Sequence, residues 1–145
     1  MQLHKLHQDA HSRAVEHVTL RMDWLRTGNV EMLARHCAVP LAIYSDESIA
    51  VIQHRDDLEA MYSRLCETVF ALGPTQVKQN IVHVCRLRQA RVAIELQRTW
   101  SPRFGPPLRE SLVYRMRVAP AGGWVSVEMV EILRIGTHRH PDPLS

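Results

Sequence analysis

The chain has 145 residues, of which 46% are hydrophobic and 23% are charged, values typical of a folded globular protein rather than a disordered one. No apolar stretch approaches the roughly 18 residues that a membrane-spanning helix needs. The formal net charge of +3 is modest, although eight arginines lie between Arg86 and Arg117, where they could form an anion-binding surface.

The three cysteines, Cys37, Cys66 and Cys85, are widely spaced and form no C-x-x-C pair. An odd, scattered set of this kind favours reduced thiols, and we expect a cytoplasmic protein. The N-terminal segment has neither the apolar core nor the small-residue cleavage site of a secretory signal. We interpret the cysteines as small buried hydrophobic residues rather than as catalytic groups.

Apolar residues recur every three or four positions along the N-terminal segment, which predicts an amphipathic helix. The members of this stripe are Leu3, Leu6, Ala10, Ala14, Val18, Met22 and Leu25. Gly28 then suits the end of a helix and Asn29 the N-cap of the next. We predict a short second helix from about Val30 to His36.

Two short strands are predicted next, in the sequence PLAIYSDESIAVIQ, with a polar turn at residues 45–48. A third helix follows, because apolar residues from Leu58 to Leu72 keep a helical spacing until Gly73-Pro74. His54 is its predicted N-cap, with Asp57 at the third position of a capping box. We interpret the His54–Asp57 segment as the start of a helix rather than as a catalytic His-Asp pair.

The second half of the chain alternates apolar and polar residues with a period of two, which predicts four long strands. Their sequences are QVKQNIVHVCRLR, RVAIELQRTW, LRESLVYRMRV and WVSVEMVEIL. Short connections, including the PAGG turn, predict an antiparallel meander.

The order of these elements, and three local segments, resemble the nuclear transport factor 2-like superfamily, in particular its ketosteroid isomerase and polyketide-cyclase-like branch. The segments are WLRTGNVEMLARHCAVPLAIY, QHRDDLEAMYSRL and GGWVSVEMVEI, within a match that covers about residues 8–134. Motifs of this kind identify a fold rather than a function.

The resemblance implies an α+β fold: a cone-shaped barrel with three N-terminal helices packed on a strongly curved, mostly antiparallel six-stranded sheet. We expect one such domain over residues 1–145, with loose termini at 1–7 and 135–145. The resemblance also implies an internal cavity and a homodimer. We assign none of the catalytic residues of ketosteroid isomerase to positions in this chain.

The strand register predicted from tight turns sorts the side chains onto two faces of the sheet. His83, Glu131, Tyr114 and the pair Arg98/Glu110 are predicted on the inner face, which the helices cover. His83 and Glu131 are the candidate catalytic groups, because burial in a cone would poise either for proton transfer near neutrality. The candidate ligand-binding residues are Tyr62, Arg98, Glu110 and Tyr114. The alternative is that His83 and Glu131 are structural residues satisfied by hydrogen bonds.

The outer face is predicted to form the homodimer interface, since it combines apolar and charged residues. Its apolar members are Val82, Val84, Ala93 and Val113, around Glu95. We expect no specific nucleic-acid binding, because no aromatic stacking platform accompanies the neighbouring arginines.

Two functions remain open on the sequence alone. In the first, the protein binds a small apolar molecule in a pocket. It could then act as an isomerase, a dehydratase or a cyclase that uses acid/base chemistry without cofactor or metal. The second is a non-catalytic dimeric interaction module with a filled core. His4, His7 and His11 share one helical face, but no acid or cysteine joins them, so we expect a solvated helix flank.

Overall fold

The structure, a computed structural model, describes the backbone of residues 2–119 and 124–137 and, within these ranges, the side chains of residues 10–73, 76–119 and 124–133. The predicted PAGG turn and the tail from residue 138 lie outside the described residues. Among the described residues, no helix is both long and apolar enough to cross a membrane.

Two helices form the N-terminal part, α1 (Gln2–Thr27) and α2 (Val30–Arg35). Gly28 separates them with a φ of +72°, a backbone conformation that favours glycine. Asn29 caps α2, since its side chain accepts a hydrogen bond of 3.2 Å from the Met32 backbone N–H. The predicted joint between the two helices is confirmed. Residues 2–7, predicted as a loose terminus, are helical in the structure.

The third helix, α3 (Arg55–Leu72), begins at the predicted N-cap His54 and ends at Gly73, which has a left-handed φ of +56°. His54 makes no side-chain capping hydrogen bond, so the predicted capping box is not formed through it. Arg55 instead donates hydrogen bonds to the Ala34 carbonyl at 2.7 Å and the Cys37 carbonyl at 2.9 Å. The HRDD segment therefore anchors α3 to the end of α2 as well as starting the helix.

Six strands form one curled sheet, in the order β2-β1-β6-β5-β4-β3. Their bounds are β1 (Cys37–Tyr44), β2 (Ile49–Ile52), β3 (Pro74–Arg86), β4 (Arg91–Pro102), β5 (Leu108–Val118) and β6 (Val125–Thr137). β1 pairs with β6 in parallel and all the other neighbours are antiparallel. The predicted α+β fold, with three helices on a mostly antiparallel six-stranded sheet, is confirmed. The sheet is curled without closing, and residues 135–137, predicted as loose, belong to β6.

The predicted register between β4 and β5 is correct, with Ile94 opposite Tyr114 and Arg98 opposite Glu110. The predicted register of β3 against β4 is wrong by one residue at the hairpin that joins the two strands. The two-residue turn was predicted to pair Arg88 with Arg91, but the Leu87 N–H bonds to the Arg91 carbonyl at 2.8 Å. Three residues therefore form the loop, two of them with positive φ.

This longer loop exchanges the faces of the residues next to it. His83 pairs with Glu95 and Cys85 with Ala93, so both lie on the outer face, where they are exposed. Val84 pairs with Ile94 and packs against the core, although we predicted it at the dimer interface.

The register of β6 is correct at Val118 and Val125 and then shifts at an irregularity between Val127 and Met129. Beyond it Glu131 pairs with Val113 on the outer face, whereas we predicted it opposite Leu112 on the inner face. A β-bulge adds one residue to a strand and so reverses the side to which later residues point. Two local irregularities therefore remove both candidate catalytic residues from the interior.

Candidate functional site

Polar side chains from six of these elements meet inside the cone, among the apolar residues of the core. We call this group the interior polar cluster; its members are Arg21, Cys37, Tyr62, Gln79, Arg98, Glu110 and Tyr114. Buried polar groups are costly unless they are paired, so a cluster of this size requires an explanation beyond packing.

Arg21, on α1, lies at the centre of the cluster and is 1% exposed. Its Nη2 donates to the Tyr62 hydroxyl at 2.6 Å and lies 3.5 Å from the Cys37 Sγ. Its Nη1 donates to the Leu33 carbonyl at 3.4 Å. The guanidinium carbon also lies 5.5 Å from the Tyr62 ring centroid and 5.6 Å from that of Tyr114, within range of cation–π attraction.

The charge on Arg21 is not balanced by a carboxylate within the described part of the chain. The ion pairs there involve other cations, and the Arg21 Nε has no hydrogen-bond partner among the described residues. Burial alone would lower the pKa of Arg21, but this effect is outweighed by electrostatic interactions with Tyr62, Cys37 and Tyr114, which raise the pKa. Arg21 is therefore a buried cation whose Nε–H has no partner among the described residues.

Tyr62 keeps its proton in this position. Burial raises the pKa of its hydroxyl well above the usual value, and the opposing attraction of Arg21 is smaller. The Tyr62 hydroxyl oxygen accepts from Arg21 and lies 3.3 Å from the Cys37 Sγ. Tyr62 is therefore a neutral hydrogen-bond donor and acceptor beside the guanidinium.

A second guanidinium, that of Arg98 on β4, is fully paired. Its Nη2 donates to the Tyr114 hydroxyl at 2.7 Å and its Nε donates to the Gln79 Oε1 at 3.0 Å. Its Nη1 lies 3.5 Å from a carboxylate oxygen of Glu110. The Glu110 side chain is 16% exposed and that of Arg98 is 4% exposed, so solvent reaches the cluster from the Glu110 side.

Aromatic rings form a separate group beside the cone, where α1, α2 and β6 meet. We call it the aromatic group; its members are His17, Trp24, His36 and Trp124. Burial, followed by Arg21 and His36, lowers the pKa of His17 to about 3. A surface cavity of about 390 Å³ is lined by three of these residues, His17, His36 and Trp124.

Two larger surface cavities lie elsewhere. One of about 600 Å³ surrounds the hairpin between β3 and β4, and one of about 820 Å³ lies between the ends of α1 and α3. Neither of these, nor the cavity at the aromatic group, is lined by Arg21, His83 or Glu131.

The three-dimensional arrangement is similar to that of several solved structures. A nuclear transport factor 2-like protein of unknown function from Shewanella oneidensis MR-1 superposes with a TM-score of 0.65 at 10% identity, over 83% of this chain and 96% of that one. A scytalone dehydratase-like protein from Novosphingobium aromaticivorans DSM 12444 gives a TM-score of 0.61 at 13% identity, over 97% and 94% of the two chains. A ketosteroid isomerase-like protein from Erwinia carotovora atroseptica SCRI1043 superposes with a TM-score of 0.56 at 12% identity, over 77% of this chain and 85% of that one.

The chain has the nuclear transport factor 2-like fold. The sequence matches no protein-family model and no curated protein. At these identities the likeness establishes the shared fold, which the three quoted segments predicted, and does not establish a shared activity.

Within the nuclear transport factor 2-like cone, the predicted site residues divide into two groups. The four predicted ligand-binding residues meet in the interior polar cluster; they are Tyr62, Arg98, Glu110 and Tyr114. The two predicted catalytic residues, His83 and Glu131, lie on the outer face of the sheet instead.

Sequence reasoning missed Arg21, Cys37 and Gln79. Arg21 follows Val18 by three positions and precedes Leu25 by four, so it shares the apolar stripe of α1. A cation on the buried face of an amphipathic helix is a signal that could have identified it. Cys37 was recognised as a buried cysteine, but no pattern in the sequence places it beside an arginine.

Proposed function

We propose that the protein binds a small, largely apolar molecule inside the cone, at the interior polar cluster. The observation that carries this proposal is the buried Arg21, which has a free Nε–H donor between two tyrosine rings. A core that served only for packing would be at least as stable with an aliphatic residue at this position. Binding of a ligand by Arg21 would explain why a charged side chain occupies this position in the core.

If the bound molecule is also converted, the cluster supports acid/base chemistry of the isomerase, dehydratase or cyclase type. Tyr62 and Tyr114 each carry a hydroxyl next to a guanidinium, an arrangement that stabilises a developing oxyanion. Glu110, held by Arg98, is the carboxylate placed to accept a proton. His83 and Glu131 have no part in this interior chemistry.

A thermal-shift screen tests the binding proposal. Steroids, polyketides, aromatic acids and terpenoids would be compared on the wild-type protein and on the Tyr114→Phe variant, which removes one hydroxyl from the cluster. We expect at least one class to raise the melting temperature of the wild type and to do so less for the variant. Tyr44→Phe is the matched control, because Tyr44 pairs with Glu131 on the outer face. If no class stabilises the wild type, the proposal fails.

A second candidate is a dimeric interaction module whose cone is filled. It is favoured by the close packing of the inner side chains and by the position of the three cavities at the surface. The screen separates the two candidates, because a filled module would show no stabilisation by any class.

We also propose a homodimer through the outer sheet face, for either function. One cross-strand row on this face mixes apolar residues with two acids and a histidine; it consists of Ile49, Tyr44, Glu131, Val113, Glu95 and His83. At the β2 end, Ile49 is 65% exposed and Val51 is 53% exposed. Burial of these exposed apolar side chains would favour the docking of a second copy on this face. The unpaired thiols Cys37, Cys66 and Cys85 support a reducing, cytoplasmic setting.

A further inference from the structure

The interior polar cluster contains an excess of positive charge. Arg21 and Arg98 are the two buried cations of the described residues, and the ion pair described inside the cone joins Arg98 to Glu110. Glu110 pairs with Arg98, so the charge of Arg21 is left over. A buried charge without a partner is strongly unfavourable, which makes a ligand of one negative charge the natural complement.

The donors around Arg21 indicate the shape of that ligand. The Arg21 Nε has no hydrogen-bond partner among the described residues, whereas both terminal nitrogens have at least one. The Tyr62 hydroxyl, which accepts from Arg21, keeps its own proton. Two donors of this kind suit the two oxygens of a carboxylate.

From this geometry we propose that the ligand of the cone is an apolar molecule with one carboxylate, bound by Arg21. The inference rests on the proposed small-molecule function and names the substrate class. A phosphate monoester would carry close to two negative charges near neutral pH and would leave one of them uncompensated. A neutral ligand would leave the charge of Arg21 without a partner.

The surroundings of Arg21 set the orientation of the bound acid. Since solvent reaches the cluster from the Glu110 side, the apolar body of the ligand extends in that direction. The Tyr114 ring lies between the two guanidiniums, 5.6 Å from each. The ring borders the Arg21 guanidinium, so a ligand bound to Arg21 would contact the ring while its hydroxyl remains held by Arg98.

The test compares acids with their own amides, which have nearly the same shape and no charge. Benzoate, cinnamate and decanoate would each be titrated beside the matching primary amide by calorimetry at neutral pH. We expect the wild-type protein to bind at least one acid at least about tenfold more tightly than its amide. This comparison uses the wild type alone, so it remains decisive even if a variant fails to fold.

The Arg21→Met variant should lose the preference for the acid, while Arg26→Gln, on the exposed side of the same helix, should retain it. Equal binding of acid and amide by the wild type would overturn the carboxylate inference and leave the binding function in place. Binding of neither, together with a negative thermal-shift screen, would overturn both. A Cys37 thiolate detected by its ultraviolet absorbance at neutral pH would also overturn the inference, because Arg21 would then have its counter-ion within the chain.

Discussion

His36 and Trp124 stack face to face, with ring centroids 3.9 Å apart and planes inclined by 9°. His36 ends α2 and Trp124 precedes β6, so this contact joins the helical layer to the sheet. The His36 Nδ1 lies 2.8 Å from the Val125 carbonyl oxygen, which requires Nδ1 to be the protonated nitrogen. Trp24 covers the same imidazole at 5.2 Å and His17 approaches it at 5.0 Å.

The aromatic group should make the fold sensitive to acid through His17. The pKa of His17 falls from 6.5 to about 3 on folding, chiefly through burial. Between these values the unfolded chain binds a proton that the folded protein does not. The free energy of unfolding should therefore decrease as the pH is lowered, by at most about 1.4 kcal/mol per pH unit.

The His17→Phe variant should remove much of this dependence and should be more stable than the wild type at pH 5. It also removes the buried Nε2, which has no partner among the described residues. The control is His11→Phe on the exposed side of α1. Urea unfolding at pH 5, 6 and 7.5 measures the effect, and parallel profiles for wild type and His17→Phe would contradict it.

The buried pair Arg98 and Glu110 should respond differently to single and to double replacement. Glu110→Gln leaves a second interior cation without a carboxylate and should cost about 3 kcal/mol of stability. The double variant Arg98→Met, Glu110→Leu removes both charges and should recover most of that loss. Chemical unfolding of the three proteins measures both steps, and a double variant less stable than Glu110→Gln would disprove this account.

The two helix N-caps should differ in their contribution to stability. Asn29 accepts a hydrogen bond from the Met32 N–H, so Asn29→Ala should lower the free energy of unfolding by about 1 kcal/mol. His54 makes no such bond, and His54→Ala should change stability by less than about 0.5 kcal/mol. Thermal unfolding of both variants distinguishes them. Equal losses would show that the Asn29 hydrogen bond contributes nothing.

The dimer proposal is tested at Val113, which lies on the outer face opposite Glu95 and Glu131. Val113→Arg should place a charge in the interface and convert a wild-type dimer into monomers that remain folded. Val84→Arg is the informative contrast, because Val84 packs against the core and its replacement should destabilise the fold itself. Light scattering coupled to size exclusion gives the masses. A monomeric wild type, or a dimeric Val113→Arg variant, would rule out this interface.

The elements and their order could be predicted from the sequence, because each depends on a local repeat or a local turn. The 3.6-residue repeat predicted α1 and α3, and glycine at Gly28 and Gly73 marked where helices end. The register of β4 against β5 followed from alternation along both strands. Three members of the interior polar cluster, Arg98, Glu110 and Tyr114, were identified in this way.

The tertiary structure alone decided which face the remaining polar residues occupy. One extra loop residue after Leu87 and one irregularity near Met129 moved His83 and Glu131 to the outside, since a shift of one residue reverses the face of a strand. Arg21 reaches the cluster because Tyr62 of α3 and Tyr114 of the curled sheet both approach a helix face whose period marked it as apolar. Periodicity is a property of neighbouring residues, whereas the convergence of side chains from separate elements depends on how the whole sheet curves around the helices.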